Sequence, residues 1–365
     1  AALRALLLRL PWVGRVRGPL KVLPFRGFAG RHRVCLPGRV AGWSPAKEAR
    51  RAAPGDPRRG MARRLRDAWS LLVSRNVPRA RVRLSFGGTA HEVIGDDHGM
   101  FLACFDVPEA PAEPEWQRFG MRILSPAPAG SETEAEGDVL VVSPRARRVV
   151  VSDIDDTVLY TGVAHKLLML WNLFATGAEA KVPFPGIAPF YRGLHAGAAG
   201  DEGNPLLYVS RGPWSIYPIL DEFFQRHDIP VGPVLLLREW GVSLTHPYPR
   251  RAASHKRELI ERILAVYPEL PAVLVGDSGQ HDPEIYRGVV HDHPGRVEAI
   301  YIRDLAPGGD RSRAIEALRR ELAGTGTDLI LARSTEQMAV HAAERGWIPR
   351  PSLAEIVRHA AGHEA

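Results

Sequence analysis

Cysteine is nearly missing from this chain, which has only Cys35 and Cys104. Two cysteines so placed supply neither a disulfide framework nor a thiolate metal site, and they fit a reducing compartment. Lysine is scarce too, with five residues against 43 arginines. No run approaches the roughly 18–20 apolar residues that a membrane span needs. The opening AALRALLLRLPWVGR is short and broken by Arg4 and Arg9. It lacks the apolar run and small-residue cleavage site of a secretory signal and reads as a frayed end or an interfacial helix. What remains is a globular protein, expected in the cytoplasm or peripheral to a membrane.

The composition supports a real core, since 45% of the 365 residues are hydrophobic and 24% charged. That length is consistent with about two domains. The formal charge of +7 hides an asymmetry: residues 1–65 hold sixteen basic residues against Glu48 and Asp56, giving +14, and the rest carries −7. A basic end can attract anionic lipid or nucleic acid. The alternative is a bias of the whole chain toward arginine.

After a basic, apolar segment over 1–19, strand-like runs at 31–36, 80–86, 99–106, 118–125 and 137–142 alternate with Gly, Pro and acidic turns. They predict a small β-rich domain over 20–145, interrupted by a flexible Pro/Gly/Ala/Arg loop over 41–60. A short helix is expected over 61–73. No catalytic cluster is visible in this part.

The pattern changes at Arg147. RRVVVSD is a short, continuous apolar strand of the kind buried in parallel sheets. Leu206–Ser210, Ala272–Asp277, Val297–Arg303 and Asp328–Ala332 repeat it, with helical patterns at 215–227, 254–267 and 334–345 between or after them. This alternation predicts an α/β domain over 146–350 built on a parallel sheet, with an insertion over 158–205 and a tail over 351–365.

The residues that can do chemistry lie at the ends of those strands. The first strand ends in Ser152-Asp153-Ile154-Asp155-Asp156-Thr157. Carboxylates clustered at the carboxyl end of a parallel strand sit where open α/β sheets bind ligands. Their mutual repulsion calls for a cation, and Mg²⁺ suits hard oxygen ligands. The second strand ends in Ser210, followed by Arg211-Gly212. A hydroxyl with free backbone N–H groups ahead of a helix forms an anion cradle, although a simple helix cap is the alternative. Lys256 stands at a helix start, where a cation opposes the macrodipole unless an anion is near. The alternative there is a solvated surface lysine. Gly276-Asp277 ends a third strand, and Asp282 lies five residues on. This pair offers a metal ligand and an acid behind it, or else a plain Gly-rich turn.

The motifs SDIDDTVLYTGV, NPLLYVSRGPWSIYPIL, LVGDSGQHDPEIY and HPGRVEAIYIRD, in that order over about 148–305, resemble the catalytic domain of the actin-patch-associated phosphatidate phosphatases. That family is a branch of the haloacid-dehalogenase phosphatases. Phe25–Val40 resembles the N-terminal module of such chains more weakly. The resemblance implies a Rossmann-like parallel sheet with helices on both faces, preceded by a small β-rich domain. It implies Asp153 as nucleophile and Asp155 as general acid and base. It gives Asp153, Asp155 and Asp277 as Mg²⁺ ligands. Thr157, Ser210 and Lys256 would hold the phosphoryl oxygens, and Asp282 would orient Lys256 or a metal-bound water. Asp156 receives no role. Arg211 departs from the Ser or Asn usual after the hydroxyl and adds a phosphate-binding cation. The implied partner is a phosphate-ester substrate, lipid in kind, with peripheral contact to an anionic membrane and no nucleic acid. Val163–Phe174, apolar nearly all round, would either meet acyl chains or fill the core. A soluble phosphomonoester, a phosphoprotein, or a non-catalytic lipid-binding role are the alternatives.

Overall fold

The computed structural model describes residues 18–42, 76–110, 113, 115–154, 183–237 and 252–361. The expectations for Asp155, Asp156, Thr157, Val163–Phe174, the segment 1–17 and a helix over 61–73 lie outside these residues.

Eight short strands form the first sheet. They are β1 (Leu20–Pro24), β2 (Gly27–Ala29), β3 (Arg33–Gly42), β4 (Arg81–Phe86), β5 (Thr89–Ile94), β6 (Met100–Asp106), β7 (Trp116–Ser125) and β8 (Glu134–Val141). Strict alternation shapes β4, whose Val82, Leu84 and Phe86 face inward while Arg81, Arg83 and Ser85 face water. The central strand β3 pairs with β1, β2 and β6, and its interior is buried on both faces. It runs on to Gly42, so the loop expected from residue 41 begins with strand.

Cys35 and Cys104 are direct partners in the β3–β6 register and form a disulfide. This overturns the expectation from their number. At a sequence separation of 69, nothing in their spacing marks a pair. Antiparallel register brings them together.

The second sheet has six parallel strands: β9 (Val149–Asp153), β10 (Leu206–Pro213), β11 (Val234–Leu237), β12 (Ala272–Asp277), β13 (Val297–Arg303) and β14 (Asp328–Ala332). Their order is β11-β10-β9-β12-β13-β14, with β9 at the point where the order reverses. Both faces are covered, which is why these strands read as continuous apolar runs. On one face Val150, Tyr208, Val275 and Tyr301 pack under α1 (Ile187–Ala196), α2 (Tyr217–Arg226), α6 (Thr335–Glu344) and α7 (Arg350–Ala361). On the other, Val151, Val209, Leu274 and Ile300 pack under α3 (Ala252–Val266), α4 (Asp282–Asp292) and α5 (Asp310–Leu322). Leu259, Ile260, Ile263 and Leu264 of α3 supply the apolar stripe that seats it. The tail expected over 351–365 is instead largely helix: α7 buries Ile356, and Glu355 pairs with Arg192 of α1. No helix of the described residues is long and apolar enough to cross a membrane.

The two sheets share their cores. Phe28 and Cys35 of the first belong to the cluster beneath α3, and Phe25 belongs to the one beneath α2. The turn after β2 approaches the end of α3 so closely that a Cβ on Gly30 would lie 2.0 Å from the Val266 carbonyl oxygen. Only glycine fits there. Several basic residues of the N-terminal excess are engaged at home: Lys21 with Glu132, Arg26 with Asp221 and Arg33 with Asp106.

The disulfide closes a long loop inside this shared core, worth roughly 4 kcal/mol in the chain-entropy account. Cys35→Ser with Cys104→Ser, or a strong reductant, is expected to lower the unfolding temperature by several degrees. Calorimetry with and without reductant checks this, and identical transitions would show that the crosslink contributes nothing.

Candidate active site

Strand alternation divides the end of β9. Ser152 turns toward α1, where its hydroxyl meets Tyr191 Oη at 2.6 Å and donates to the Asp153 carbonyl oxygen at 2.6 Å. Asp153 turns the other way, toward α3. Burial pushes the Tyr191 hydroxyl well above the ordinary phenol range, so it stays a neutral hydrogen-bonding group.

Lys256 comes from the start of α3 and is 2% exposed. Its Nζ donates to Asp153 Oδ1 at 2.6 Å and to Asp282 Oδ1 at 2.5 Å. Burial alone would favour the neutral amine, but the two carboxylates outweigh it and raise the lysine above its usual range. The ammonium therefore persists at any working pH. The surface alternative for this residue is excluded.

Asp277 ends β12 and accepts from Gly279 N at 2.6 Å. Asp282 opens α4, a favourable place for an acid beside the helix dipole. Gly276 makes this approach possible, since a Cβ there would meet Asp282 Oδ2 at 2.5 Å. Asp153, Asp277 and Asp282 are all buried and offer carboxylate oxygens within 4.8 Å of one another. One ammonium bridges two of these three buried carboxylates, Asp153 and Asp282. The residual negative charge and hard oxygen donors fit a divalent cation.

Ser210 occupies the same end of the sheet on β10. Val209 is the register partner of Asp153, and Ser210 follows it. The serine is 3% exposed, and its Oγ accepts from Gly212 N at 2.9 Å. Arg211 continues β10, but its side chain lies outside the description, as do Asp155 and Thr157.

Two arginines of the site escaped the sequence reading. Arg303 ends β13 opposite Asp277 in the register and is 4% exposed. It donates to Thr335 Oγ1 at 2.9 Å and lies 4.0 Å from the Phe184 ring centroid. Burial lowers it to about 10, against the opposing pull of Tyr191 and Asp277. Arg311, on α5, grips the loop between Asp277 and Asp282. It donates from Nε to Ser278 O at 2.8 Å, from Nη2 to Gln280 O at 2.6 Å, and pairs with Glu284. In a chain with 43 arginines nothing marks Arg311. Only the strand-end position of Arg303 offered a signal.

The lysine tests the electrostatics directly. Lys256→Ala leaves buried carboxylates facing one another without their cation and is expected to cost roughly 3–5 kcal/mol of stability. Urea unfolding measures it; a cost below about 1 kcal/mol would mean that water already balances the cluster.

Residues 148–304 match the family model described as "Phosphatidate phosphatase APP1, catalytic domain". The chain is 32% identical over 155 residues to Phosphatidate phosphatase APP1 of Saccharomyces cerevisiae, covering 42% of this chain and 25% of that protein. It is 27% identical over 156 residues to an uncharacterized protein of Schizosaccharomyces pombe, covering 43% and 25%. The chain thus spans about a quarter of the length of these curated relatives. Among solved structures, a carbohydrate acetylesterase from Xanthomonas citri aligns with 13% identity and a TM-score of 0.30, over 91% of this chain and 71% of that one. The match to that catalytic-domain model spans β9 through β13 and so includes Asp153, Ser210, Lys256, Asp277 and Asp282.

Proposed function

We propose that the protein is a Mg²⁺-dependent phosphatase of the haloacid-dehalogenase type that hydrolyses phosphatidate or a related lipid phosphate monoester. The observation that carries this reading is the buried cluster of Asp153, Lys256, Asp277 and Asp282 at the carboxyl end of the parallel sheet. The match to the phosphatidate phosphatase catalytic-domain model supports a lipid phosphate as the substrate class.

In this mechanism Asp153 attacks the phosphorus. A bond forms from its carboxylate oxygen while the bond to the ester oxygen breaks, so one hard displacement becomes two. Asp155 gives a proton to the leaving oxygen, then takes one from the water that attacks the aspartyl-phosphate and frees Asp153. Lys256 keeps Asp153 ionised and in place, and its remaining hydrogen-bonding capacity is available to a phosphoryl oxygen. Ser210, Thr157 and Arg211 provide further contacts to the phosphoryl group. Asp282 holds Lys256 by the 2.5 Å hydrogen bond. Asp277, with Asp153 and Asp155, would hold the cation, whose charge offsets the repulsion between an anionic nucleophile and an anionic phosphate. The basic excess of residues 1–65 favours contact with anionic membrane.

Asp153→Asn is expected to remove phosphate release while leaving the melting temperature nearly unchanged. Asp155→Asn loses roughly 10²–10⁴-fold. Near-normal turnover by purified Asp153→Asn would end this mechanism. Stripping with a chelator is expected to abolish activity, and Mg²⁺ to restore it. Full turnover by metal-free protein would refute the metal requirement.

Substrate class is tested by comparing phosphatidate in mixed micelles with p-nitrophenyl phosphate. Higher kcat/KM on the lipid supports the proposal, together with vesicle binding that weakens as salt screens exposed charges over about 10 Å at 0.1 M. Faster turnover of the soluble ester than of any lipid would instead assign a soluble phosphomonoester.

A further inference from the structure

The phosphate cradle around Ser210 is not held by the sheet alone. The β10–β11 register shifts between Ser210 and Pro213, so regular strand pairing stops where the cradle begins. The described contact inside the turn is local, from Gly212 N to Ser210 Oγ at 2.9 Å. Immediately after Pro213 the chain makes one 3₁₀ turn, Trp214–Ile216, and enters α2. Whatever fixes Trp214 fixes the far end of the cradle.

Trp214 is 7% exposed, yet its indole N–H has no hydrogen-bond partner among the described residues. Ring packing places it, and much of that packing comes from the other sheet. Phe25, in the turn between β1 and β2, lies 4.4 Å from the Trp214 ring centroid and 4.8 Å from that of Tyr217. Trp214 and Tyr217 are themselves stacked at 6.2 Å. The next residue, Arg26, donates its backbone N–H to Tyr217 Oη at 3.1 Å and pairs through its guanidinium with Asp221 of α2. Phe25 is 6% exposed and Arg26 is half-buried, so the contact is shielded from water on the Phe25 side. Two consecutive residues of the β1–β2 turn thus clamp the first residues beyond the cradle by rings, a backbone hydrogen bond and an ion pair.

We propose that the N-terminal β-sheet is part of the phosphate site, with Phe25 and Arg26 as positioning residues that act through Trp214 and Tyr217 on the Ser210–Gly212 turn. This rests on the reading of that turn as the phosphate cradle. It assigns the N-terminal unit a role in phosphate affinity, beyond any role in membrane contact. Small displacements of a binding group are amplified in catalysis, because productive geometry tolerates well under 1 Å of error.

The test uses the full chain with Phe25→Leu and Arg26→Gln, each alone and each combined with Ser210→Ala. Phe25→Leu preserves most of the buried volume, and Arg26→Gln leaves the rings intact, so at least one variant is expected to fold. The readouts are kcat/KM on p-nitrophenyl phosphate and inhibition by inorganic phosphate. A fall of about tenfold in kcat/KM with a parallel rise in the phosphate inhibition constant is expected in the Ser210 background. Both effects should largely vanish in the Ser210→Ala background, since coupled residues are not additive. A merely structural role would lower the melting temperature and reduce activity by the same factor in both backgrounds, with unchanged phosphate inhibition of the folded fraction. That outcome, or wild-type constants in both single variants, overturns the inference while leaving the phosphatase reading intact. Wild-type protein that releases no phosphate from any ester and binds no inorganic phosphate overturns both.

Discussion

A single ammonium ties the candidate site together. Lys256 Nζ bonds Asp153 at 2.6 Å and Asp282 at 2.5 Å, so the starts of two helices and the end of the strand at the sheet's reversal point are joined at one atom. All three side chains are almost fully buried, where an unpaired charge is far costlier than at the surface. Burial opposes the ammonium and the two carboxylates sustain it. That balance explains why Lys256 stands at a helix N-terminus, against the macrodipole: the neighbouring anions outweigh the dipole's fraction of a charge. It also gives the cluster its chemical character, because the same carboxylate is both held still and kept ionised.

Much of this cluster was legible in the sequence because parallel strands buried on both faces produce apolar runs, and polar residues ending such runs stand out. Asp153, Ser210 and Asp277 were visible in this way. Lys256 was visible through its helix start, and Asp282 through its place five residues after Asp277. Arg303 and Arg311 were not, since their partners are backbone carbonyls, a threonine and an aromatic ring far away in sequence. Short elements were lost for a related reason. β11 is four residues long after a Gly-Pro pair, and β2 has three residues, too few to show a period. The pairing of Cys35 with Cys104 depends on a register between strands that no local pattern encodes. The helix over Arg350–Ala361 resembled a tail because its burial rests chiefly on Ile356 and on contact with α6 and α1.

The two sheets are not independent modules tied by a linker. Gly30 lets the turn after β2 press against the end of α3, the helix that carries Lys256 at its other end. Phe28 lies 6.3 Å from the Tyr267 ring just beyond α3, and Phe25 packs on the entrance to α2. The N-terminal sheet therefore touches α3, which carries Lys256, and the entrance to α2, which follows Ser210. Part of the basic excess in residues 1–65 serves this packing, as the Arg26–Asp221 pair shows. Net charge over a stretch of sequence overstates the charge offered to solvent when acids elsewhere fold against it.

Alternation in a strand also separates charges that would otherwise crowd together. On β9, Ser152 meets Tyr191 on one face of the sheet and Asp153 meets Lys256 on the other. On β12, Asp277 continues the parity of Val273 and Val275, which pack on the Tyr191 face, and its register partner Arg303 lies on that side too. The carboxylates thus converge over the sheet edge from two faces, each with a cation behind it: Lys256 on the α3 face and Arg303 on the α1 face. Lys256 is hydrogen-bonded to its carboxylates, whereas Arg303 acts on Asp277 through Coulomb attraction while it donates a hydrogen bond to Thr335. Attraction without direct hydrogen bonding stabilises negative charge at the edge and leaves coordination geometry to other groups. Two cations against three described carboxylates still leave the edge negative, and a divalent ion at that point would reverse the sign. A phosphate dianion, repelled by the bare cluster, then meets net attraction only where cation and carboxylates coincide.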